Sequence, residues 1–245
     1  MRVISRKRLR EFWAEHPKAK TPLTQWYKLT EEASWRHFAD ARSTFGSVDS
    51  VTVRSGNAVY VFNIKGNDYR LIAAIHFNTG TVYVLAVLTH PEYDEEKWKD
   101  QTMKTSTRAL MESIPKTFHE LNALRPLMPL KDEVDLDNAQ EIADRMAVIA
   151  RPTADQAAYL ETLSLLIERY EDMHHAIDTG KTDPIANLRF LLSQHGMNAS
   201  DLGDILGQRQ LGSKVLSGTR QLSKAHIQAL CRHFKVGPGA FLKVR

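Results

Sequence analysis

The stretch from Val59 to Asp94 constrains the fold more than any other part of the chain. It is rich in β-branched and aromatic residues, and two short turn sequences interrupt it, Lys65-Gly66-Asn67-Asp68 and Asn78-Thr79-Gly80. This pattern predicts a three-stranded antiparallel meander. The predicted strands cover about 58–65, 68–77 and 81–88.

The two turns set the predicted strand register. A two-residue first loop would place Asn63 opposite Arg70. A three-residue second loop would pair Phe77 with Thr81, and this register carries Arg70 to a position opposite Leu88. A shift of one residue in either turn would move these side chains to different faces.

The register collects polar side chains at one face of the sheet. They are Asn63, Lys65, Arg70 and His90, with Tyr93 just beyond the last strand. An apolar strand rarely carries an isolated arginine without a partner or a ligand, which favours a binding face. A structural explanation also exists for each residue alone, because Arg70 could pair with Asp68 or Asp94 and His90 could cap the strand end.

Residues 1–100 resemble the HigB toxins, through YVFNIKGNDYRL at 60–71, the apolar strands that follow, and THPEYD at 89–94. The resemblance implies a RelE-like fold and ribosome-dependent cleavage of mRNA by attack of a ribose 2′-hydroxyl on the adjacent phosphate. Such chemistry needs a cation on the phosphate and groups that transfer protons. The resemblance assigns Arg70 to the phosphate, and it assigns His90 and Tyr93 to proton transfer. The RNA-binding candidates are Asn63, Lys65 and Lys97.

Helices are predicted before the sheet. One covers Ser5 to His16, and a second begins with Thr21 as its N-cap and Pro22 at its first position. A further turn or two lies around Trp35. The fold class is therefore α+β, with helices on one face of a small antiparallel sheet and the other face available. The basic first helix would either touch RNA or be solvated.

Charge divides the 245 residues into three blocks. Residues 1–102 hold 15 Lys and Arg against 12 Asp and Glu, residues 103–184 hold 9 against 15, and residues 185–245 hold 9 against 2. A basic, acidic, basic order is expected if the outer blocks meet nucleic acid and the middle block meets a basic surface. A solvated acidic helix would give the same middle block.

Composition places the chain in a reducing cytoplasm. Cys231 is the single cysteine, so no internal disulfide can form. No apolar run approaches the roughly 20 residues of a membrane span, and no signal-peptide core follows the basic N-terminus. We expect no cofactor and no metal, and we interpret His174 and His175 as surface residues because adjacent helical positions diverge.

The acidic block predicts helices. Short pieces fit between its prolines, one at about 116–124. Asp135 or Asp137 would cap the next helix, and Thr153 with Gln156 would cap one that runs to about Asp178. That last helix carries an apolar stripe, which must pack on something. The stripe comprises Leu160, Leu163, Leu166 or Ile167, Tyr170, Met173 and Ile177.

Met103-Lys104-Thr105 resembles the start of a separate protein, and in HigB–HigA pairs the toxin is encoded just before its antitoxin. We therefore predict a fusion with three parts: a toxin domain at 1–101, an acidic helical neutralising region at 102–182, and a DNA-binding domain at 183–245. The acidic region should pack on residues 1–100. Its GKT triplet at 180–182 lacks the first glycine of a phosphate loop, and we do not interpret it as a nucleotide site.

The last block predicts four short helices, with Asn198 or Ser200 capping the second and Ser223 the fourth. The segment SDLGDILGQRQLGSKVLSGTRQLS resembles the lambda-repressor-like helix-turn-helix domain of HigA antitoxins. The resemblance implies groove or phosphate contacts on operator DNA. The candidates are Gln208, Arg209, Gln210, Ser213, Lys214, Ser217, Thr219 and Arg220.

In this helix-turn-helix segment, Leu211, Val215 and Leu216 should face inward, and Gly212 should allow close helix approach. We expect mRNA on the ribosome and operator DNA as partners, toxin–antitoxin contact within or between chains, and a homodimer. An alternative is a helix-turn-helix regulator whose N-terminal domain senses a ligand and cleaves nothing.

Overall fold

The computed structural model describes residues 1–53, 58–101, 114–179 and 183–242. The predicted boundaries near 102 and 182, Met103 and the GKT triplet lie outside these ranges. The elements in chain order are β1 Arg2–Ile4, α1 Arg6–Glu15, α2 Lys20–Glu31, α3 Phe38–Thr44, β2 Asp49–Thr52, β3 Ala58–Ile64, β4 Tyr69–His76, β5 Thr81–Thr89, α4 His90–Asp94, α5 Trp98–Gln101, α6 Phe118–Leu124, α7 Glu133–Ala147, α8 Ala154–His174, α9 Pro184–Gln194, α10 Ala199–Ile205, α11 Leu211–Leu216 and α12 Lys224–Phe234.

The predicted meander exists as β3, β4 and β5, but the sheet is larger and mixed. Its five strands lie in the order β1-β5-β4-β3-β2, and β1 pairs parallel to β5. The prediction of a purely antiparallel sheet was therefore wrong. Both added strands are short, and a three- or four-residue strand carries too little period-two pattern to be recognised alone.

The register at Arg70 was predicted correctly, although one step of the reasoning was wrong. Asn63 pairs with Arg70 as expected. In the second hairpin, Thr81 pairs with His76 rather than with Phe77, and a bulge between Ile72 and Ala73 shifts the pairing. The bulge cancels the turn error, so that Arg70 lies opposite Leu88 as predicted.

The N-terminal helices cover one face of the sheet. Helix α1 was predicted correctly, but α2 begins at Lys20 after a 3-10 turn at Pro17–Ala19, so Thr21 is not its N-cap. Leu23 and Trp26 are fully buried. Trp26 packs against Phe62 of β3, and this contact fixes α2 on the sheet.

The acidic block forms α6, α7 and α8. The N-cap of α7 is Asp132, whose side chain accepts from the Asp135 amide, so neither Asp135 nor Asp137 caps it. The Thr153–Gln156 capping box of α8 is confirmed. The helix ends at His174, four residues earlier than predicted.

Not every residue of the predicted α8 stripe faces a core. Leu160, Leu163, Ile167 and Tyr170 are buried, whereas Met173 is 63% exposed. The buried residues join α7 in an apolar cluster with Ile4, Ala74 and Tyr83 of the sheet. The predicted packing of the acidic block on residues 1–100 is therefore observed, and it covers part of the face that we expected to be free.

The C-terminal block forms α9 to α12 and ends in a 3-10 turn at Pro238–Phe241. Asn198 caps α10 and Ser223 caps α12, as predicted. The block does not stand apart from the N-terminal domain. Leu191 and Phe234 share one continuous core with Trp26 and Phe62.

Backbone contacts join the same two parts. Val236 forms a bridge with Ala33, and the Gly237 amide donates to the Glu32 carbonyl. No pattern in the sequence predicts this docking. Among the described residues, no helix is long and apolar enough to cross a membrane.

Candidate functional site

Arg70 is the centre of the polar set that the sequence predicts on the sheet. It is only 8% exposed. One guanidinium nitrogen donates to the carbonyls of Asn67 and Tyr69 at 3.2 Å each, and the other donates to Asn67 Oδ1 at 2.5 Å. Its guanidinium carbon lies 5.5 Å from the centroid of the Tyr93 ring. The structure therefore brings Arg70 and Tyr93 together.

The neighbouring aspartates do not neutralise Arg70. Asp68 pairs with Lys65 at 2.5 Å, and Asp94 pairs with His90 Nδ1 at 2.8 Å. Within the described ranges, Arg70 forms no ion pair with a carboxylate. Its positive charge therefore meets only carbonyl and amide dipoles and an aromatic face, which leaves it available to an anion.

Tyr93 is oriented by a residue that sequence reasoning missed. The Trp98 ring stacks on it at 5.2 Å with an interplanar angle of 17°, and Trp98 Nε1 donates to the Tyr93 carbonyl at 3.1 Å. Burial raises the pKa of the Tyr93 hydroxyl above its usual value, although Arg70 and Lys99 act to lower it. The phenol therefore holds its proton at neutral pH and is a donor rather than a base.

His90 is the first residue of helix α4, which directly follows β5, the strand paired with the Arg70 strand β4. Thr89 caps this helix in a capping box with Glu92, and the His90 amide donates to the Asp68 carbonyl at 3.0 Å. The imidazole is half-exposed and held by Asp94. An imidazole beside a carboxylate is a chemically suitable proton-transfer group.

The three predicted RNA-binding residues differ in exposure. Lys65 and Lys97 are exposed, and Lys97 pairs with Glu95 at 2.8 Å. Asn63 is half-buried, and its carbonyl accepts from Gln194 of α9 at 3.2 Å. Of these three residues, Asn63 is the one that pairs with Arg70 across the two strands β3 and β4.

Two further residues of the candidate site were not predicted in the positions where they act. Asn67 accepts from Arg70, and Asp94 holds His90 instead of Arg70. Trp98 did give a signal. It stands alone in the charged run Glu95-Glu96-Lys97-Trp98-Lys99, where a solvated loop has no need of an indole.

A cleft of about 490 Å³ opens between the sheet and α7. Leu88, which faces Arg70, and Trp98, which stacks on Tyr93, form part of its floor. Four carboxylates line it: Glu11, Asp137, Glu141 and Asp144. Arg8 and Arg145 also line the cleft and pair with Asp144 and Glu141, so charges of both signs lie there.

The carboxylates of α7 and α8 meet the cations of β1 and α1. Both nitrogens of Arg8 bind Asp144, at 2.8 and 2.6 Å. The other pairs are Arg2 with Glu161 at 2.9 Å, Lys7 with Asp137 at 2.5 Å and with Glu133 at 2.9 Å, and Arg6 with Asp172 at 2.7 Å. The basic first helix is therefore neither solvated nor open to RNA in this state.

One of the two histidines at the end of α8 is not simply a surface residue. His175 Nε2 contacts Glu133 at 2.9 Å and joins the end of α8 to the start of α7. His174 is exposed, as expected. Among the described residues no group of His, Cys, Asp and Glu is arranged to hold a metal ion.

The eight predicted DNA contacts are all exposed, on α11 and on the turns that flank it. They are Gln208, Arg209, Gln210, Ser213, Lys214, Ser217, Thr219 and Arg220. The side chains that were predicted to face inward do so: Val215 is fully buried, and Leu211 and Leu216 pack on the core.

Two glycines set the angle between α10 and α11. A methyl group on Gly212 would come within 1.7 Å of the Ala199 carbonyl, and one on Gly203 within 2.2 Å of the Arg209 carbonyl. At the far end of α11, the hydroxyls of Ser217 and Thr219 donate to the Lys214 carbonyl at 3.1 and 3.0 Å. The exposed surface is therefore presented on a rigid helix pair.

Comparison with known proteins relates two segments of the chain to a toxin–antitoxin system. Residues 19–96 match the HigB toxin family, described as the RelE-like toxic component of a toxin–antitoxin system. The mRNA interferase toxin HigB of Escherichia coli (strain K12) is 29% identical over 94 residues, which cover 38% of this chain and 88% of that protein. The mRNA interferase HigB of Shigella flexneri matches equally.

A second segment matches the partner protein. The antitoxin HigA of Escherichia coli (strain K12) is 40% identical over 58 residues, which cover 24% of this chain and 41% of that antitoxin. The match therefore spans less than half of the antitoxin's length. Together the matches fit a HigB–HigA fusion, with toxin and antitoxin in one chain.

Proposed function

We propose that the chain is a self-neutralised toxin–antitoxin fusion with three activities. Residues 1–101 form a RelE-like, ribosome-dependent mRNA endonuclease. Residues 102–182 restrain it, and residues 183–245 form a helix-turn-helix domain that binds operator DNA and represses transcription. The observation that carries this proposal is the set of ion pairs from α7 and α8 to the cations of β1 and α1.

In the proposed cleavage, Arg70 stabilises the charge that develops on the scissile phosphate. A buried cation that no carboxylate neutralises among the described residues is suited to this role, because its interaction with a phosphate is poorly screened. Tyr93, held by Trp98, keeps its proton and would donate it to the leaving oxygen. His90 would accept the proton of the 2′-hydroxyl, with Asp94 orienting its ring.

Neutralisation in the intact chain would act by exclusion and by charge. Helices α7 and α8 pack against the sheet, and their carboxylates occupy the cations of β1 and α1, which are then not available to RNA. The C-terminal block covers a second surface, through the core that it shares with α2 and β3. A nuclease that must enter the ribosomal A site would be blocked by either body.

The nuclease proposal is tested by growth arrest. Expression of residues 1–101 should stop growth and fragment mRNA, whereas the intact chain should be harmless. Arg70→Ala or Tyr93→Phe in residues 1–101 should reduce cleavage by roughly 10²–10³-fold at most, the usual cost of losing one such group. Lys18→Ala, which removes an exposed charge from the 3-10 turn after α1, is the matched control.

Circular dichroism separates loss of chemistry from loss of fold in these variants. If folded Arg70→Ala and Tyr93→Phe proteins stay fully toxic, the catalytic assignment is wrong. If residues 1–101 fold and never cleave RNA, the chain is a regulator with a sensor domain instead. Deletion of residues 103–178 is a weaker test of neutralisation by the acidic region, because α9 to α12 would still cover α2.

The DNA-binding proposal rests on the exposed surface of α11 and the net positive charge of the C-terminal block. Arg209→Ala should weaken operator binding and relax specificity at one base pair by about 1–3 kcal/mol. Lys214→Ala should weaken binding to all sequences and reduce the salt slope by about 0.9. Arg232→Ala, on the more distant helix α12, is the control. Unchanged binding in both test variants would exclude the recognition-helix assignment.

A further inference from the structure

The N-terminus of α1 is completed by a carboxylate from another part of the chain. Ser5, its N-cap, has a left-handed backbone with φ of 72°, its side chain makes no capping bond, and the first turn holds no acidic residue. Glu171 of α8, which is fully buried, accepts from the Ser5 amide at 3.1 Å and from the Lys7 amide at 2.9 Å. An anion therefore sits where helix amides converge.

This site has more donors than the Glu171 carboxylate uses. Arg6 is only 6% exposed, and its Nε lies 3.6 Å from Glu171 Oε2 but has no hydrogen-bond partner among the described residues. The buried Ser5 hydroxyl likewise finds no partner in the described part of the chain. A carboxylate has two oxygens in one plane, whereas a phosphate has oxygens in tetrahedral directions and would engage additional donors.

Further cations extend from this site along β1 and α1. Arg2, Lys7 and Arg8 each bind a carboxylate, and in every case an acid of α7 or α8 supplies a partner. A row of cations beside a helix N-terminus matches the repeating charges of an RNA backbone. Most buried polar groups of folded proteins have a hydrogen-bond partner, so the unmatched Arg6 Nε calls for a specific explanation.

We propose that the start of α1 is a phosphate-binding site through which the toxin domain holds the RNA backbone, and that Glu171 occupies the phosphate position in the intact chain. This proposal rests on the proposed action of the toxin domain on RNA. The amides of Ser5 and Lys7 and the guanidinium of Arg6 form the site, with Arg2 and Arg8 beside it. Neutralisation is then a competition between a carboxylate and RNA for the same donors.

The first test asks whether the site takes a phosphate. In the full chain, Glu171→Ala should lower Tm, and inorganic phosphate at about ten times its Kd should raise Tm by about 3 °C relative to chloride of equal ionic strength. The wild type should show no phosphate-specific rise. Glu168→Ala is the control. It removes a carboxylate of α8 that does not bond to the α1 amides, so its Tm response to phosphate should equal that of the wild type.

The phosphate-site proposal is wrong if phosphate raises Tm equally in the wild type, Glu171→Ala and Glu168→Ala, or if it does not raise the Tm of Glu171→Ala. If Glu171→Ala does not fold, Glu171→Asp provides the same measurement, because its shorter side chain withdraws the carboxylate and keeps the charge. A phosphate response that disappears when Arg6→Gln is added would support the assignment of Arg6 to the site.

The second test asks whether RNA uses the site. Photocrosslinking of a single-stranded oligoribonucleotide to the full chain should give about tenfold more product on residues 1–16 in Glu171→Ala than in the wild type, since a charge-assisted contact no longer competes. Adding Arg6→Gln should remove that gain, whereas Arg36→Gln should not. Phosphate binding without this gain would overturn the role in RNA binding.

The two proposals fail separately. Loss of growth arrest in Arg70→Ala, together with no crosslink at residues 1–16, would leave the nuclease in place and remove only the α1 site. A crosslink at α1 with full toxicity of Arg70→Ala would keep the RNA contact and move the chemistry elsewhere.

Discussion

The N-terminal α+β domain contacts the rest of the chain at two surfaces, and the two contacts differ in kind. At β1 and α1, the acidic helices α7 and α8 supply ion pairs around a smaller apolar cluster. At α2 and α3, the C-terminal block supplies apolar side chains and carbonyl acceptors, such as the Phe234 carbonyl, which accepts from Thr44 Oγ1 at 2.6 Å. The first contact depends on charge, and the second is a continuation of the protein core.

The difference indicates which contact can be released. Ion pairs at a partly exposed surface weaken with salt and with pH, and another polyanion can replace their acids. A shared apolar core has no such competitor and opens only by unfolding. We therefore expect α7 and α8 to be the releasable restraint and the C-terminal block to be the permanent one.

The largest effect is expected at the shared core. Phe234 is fully buried and contacts His195. Phe234→Ala should lower the free energy of unfolding by about 3–5 kcal/mol, because it leaves a cavity between the two parts. Hydrogen exchange should rise together in α12 and in α2. Leu242→Ala, at a site that is 50% exposed, is the control. Faster exchange in α12 alone would show that the two cores are independent.

A smaller effect is expected at the strongest ion pair. Arg8 and Asp144 are both less than one quarter exposed and bind through two hydrogen bonds. Asp144→Ala should cost about 2–3 kcal/mol, less than a fully buried pair, because water screens part of the interaction. Chemical denaturation of Arg8→Gln, Asp144→Ala and the double variant gives the coupling energy. A coupling below about 0.5 kcal/mol would contradict an ionic restraint.

Acid should loosen the ionic contact through Glu133. Burial alone would raise the pKa of Glu133, but hydrogen bonds from Lys7 and His175 lower it to about 2. A lowered folded-state pKa contributes stability above the unfolded value near 4.5, and that stability is lost as pH falls through the folded value. The wild type should therefore lose more stability than Glu133→Gln between about pH 4.5 and 2.

The expected size of that difference is about 1 kcal/mol or less, because the Glu133 side chain is 49% exposed. Thermal unfolding at several pH values measures it. Burial raises the pKa of the Glu171 and Asp144 carboxyls, so these two groups act in the opposite direction in both proteins. Parallel pH curves for the two proteins would show that Glu133 is not a contributor.

The smallest effect is expected at the outer ion pair. Arg2 binds Glu161, which is 41% exposed. Arg2→Gln should cost at most about 1 kcal/mol at low salt, and the difference from the wild type should vanish near 1 M salt, where the screening length is about 3 Å. The same salt should leave the effect of Phe234→Ala unchanged. A salt-dependent Phe234→Ala effect would contradict the distinction between the two contacts.

Local patterns were sufficient for much of the fold. The capping residues Thr153, Asn198 and Ser223 and the pairing of Asn63 with Arg70 are set by neighbours in the chain, and all four were predicted correctly. The Arg70 candidate site was predicted in part, since Tyr93 contacts Arg70. The supporting Asn67 and Trp98 were missed, because their roles come from contacts across a turn and between two helices.

Sequence alone determined the charge blocks, the helical character of the acidic segment and the resemblance to a toxin and an antitoxin. Only the tertiary structure decided where those charges meet, that β1 joins the sheet in parallel, and that the C-terminal block shares the core of the N-terminal domain. The physical reason is the distance along the chain over which each interaction acts. Periodicity and capping act within a few residues, whereas Glu171 and Ser5 lie 166 residues apart in the chain and only the packed fold brings them into contact.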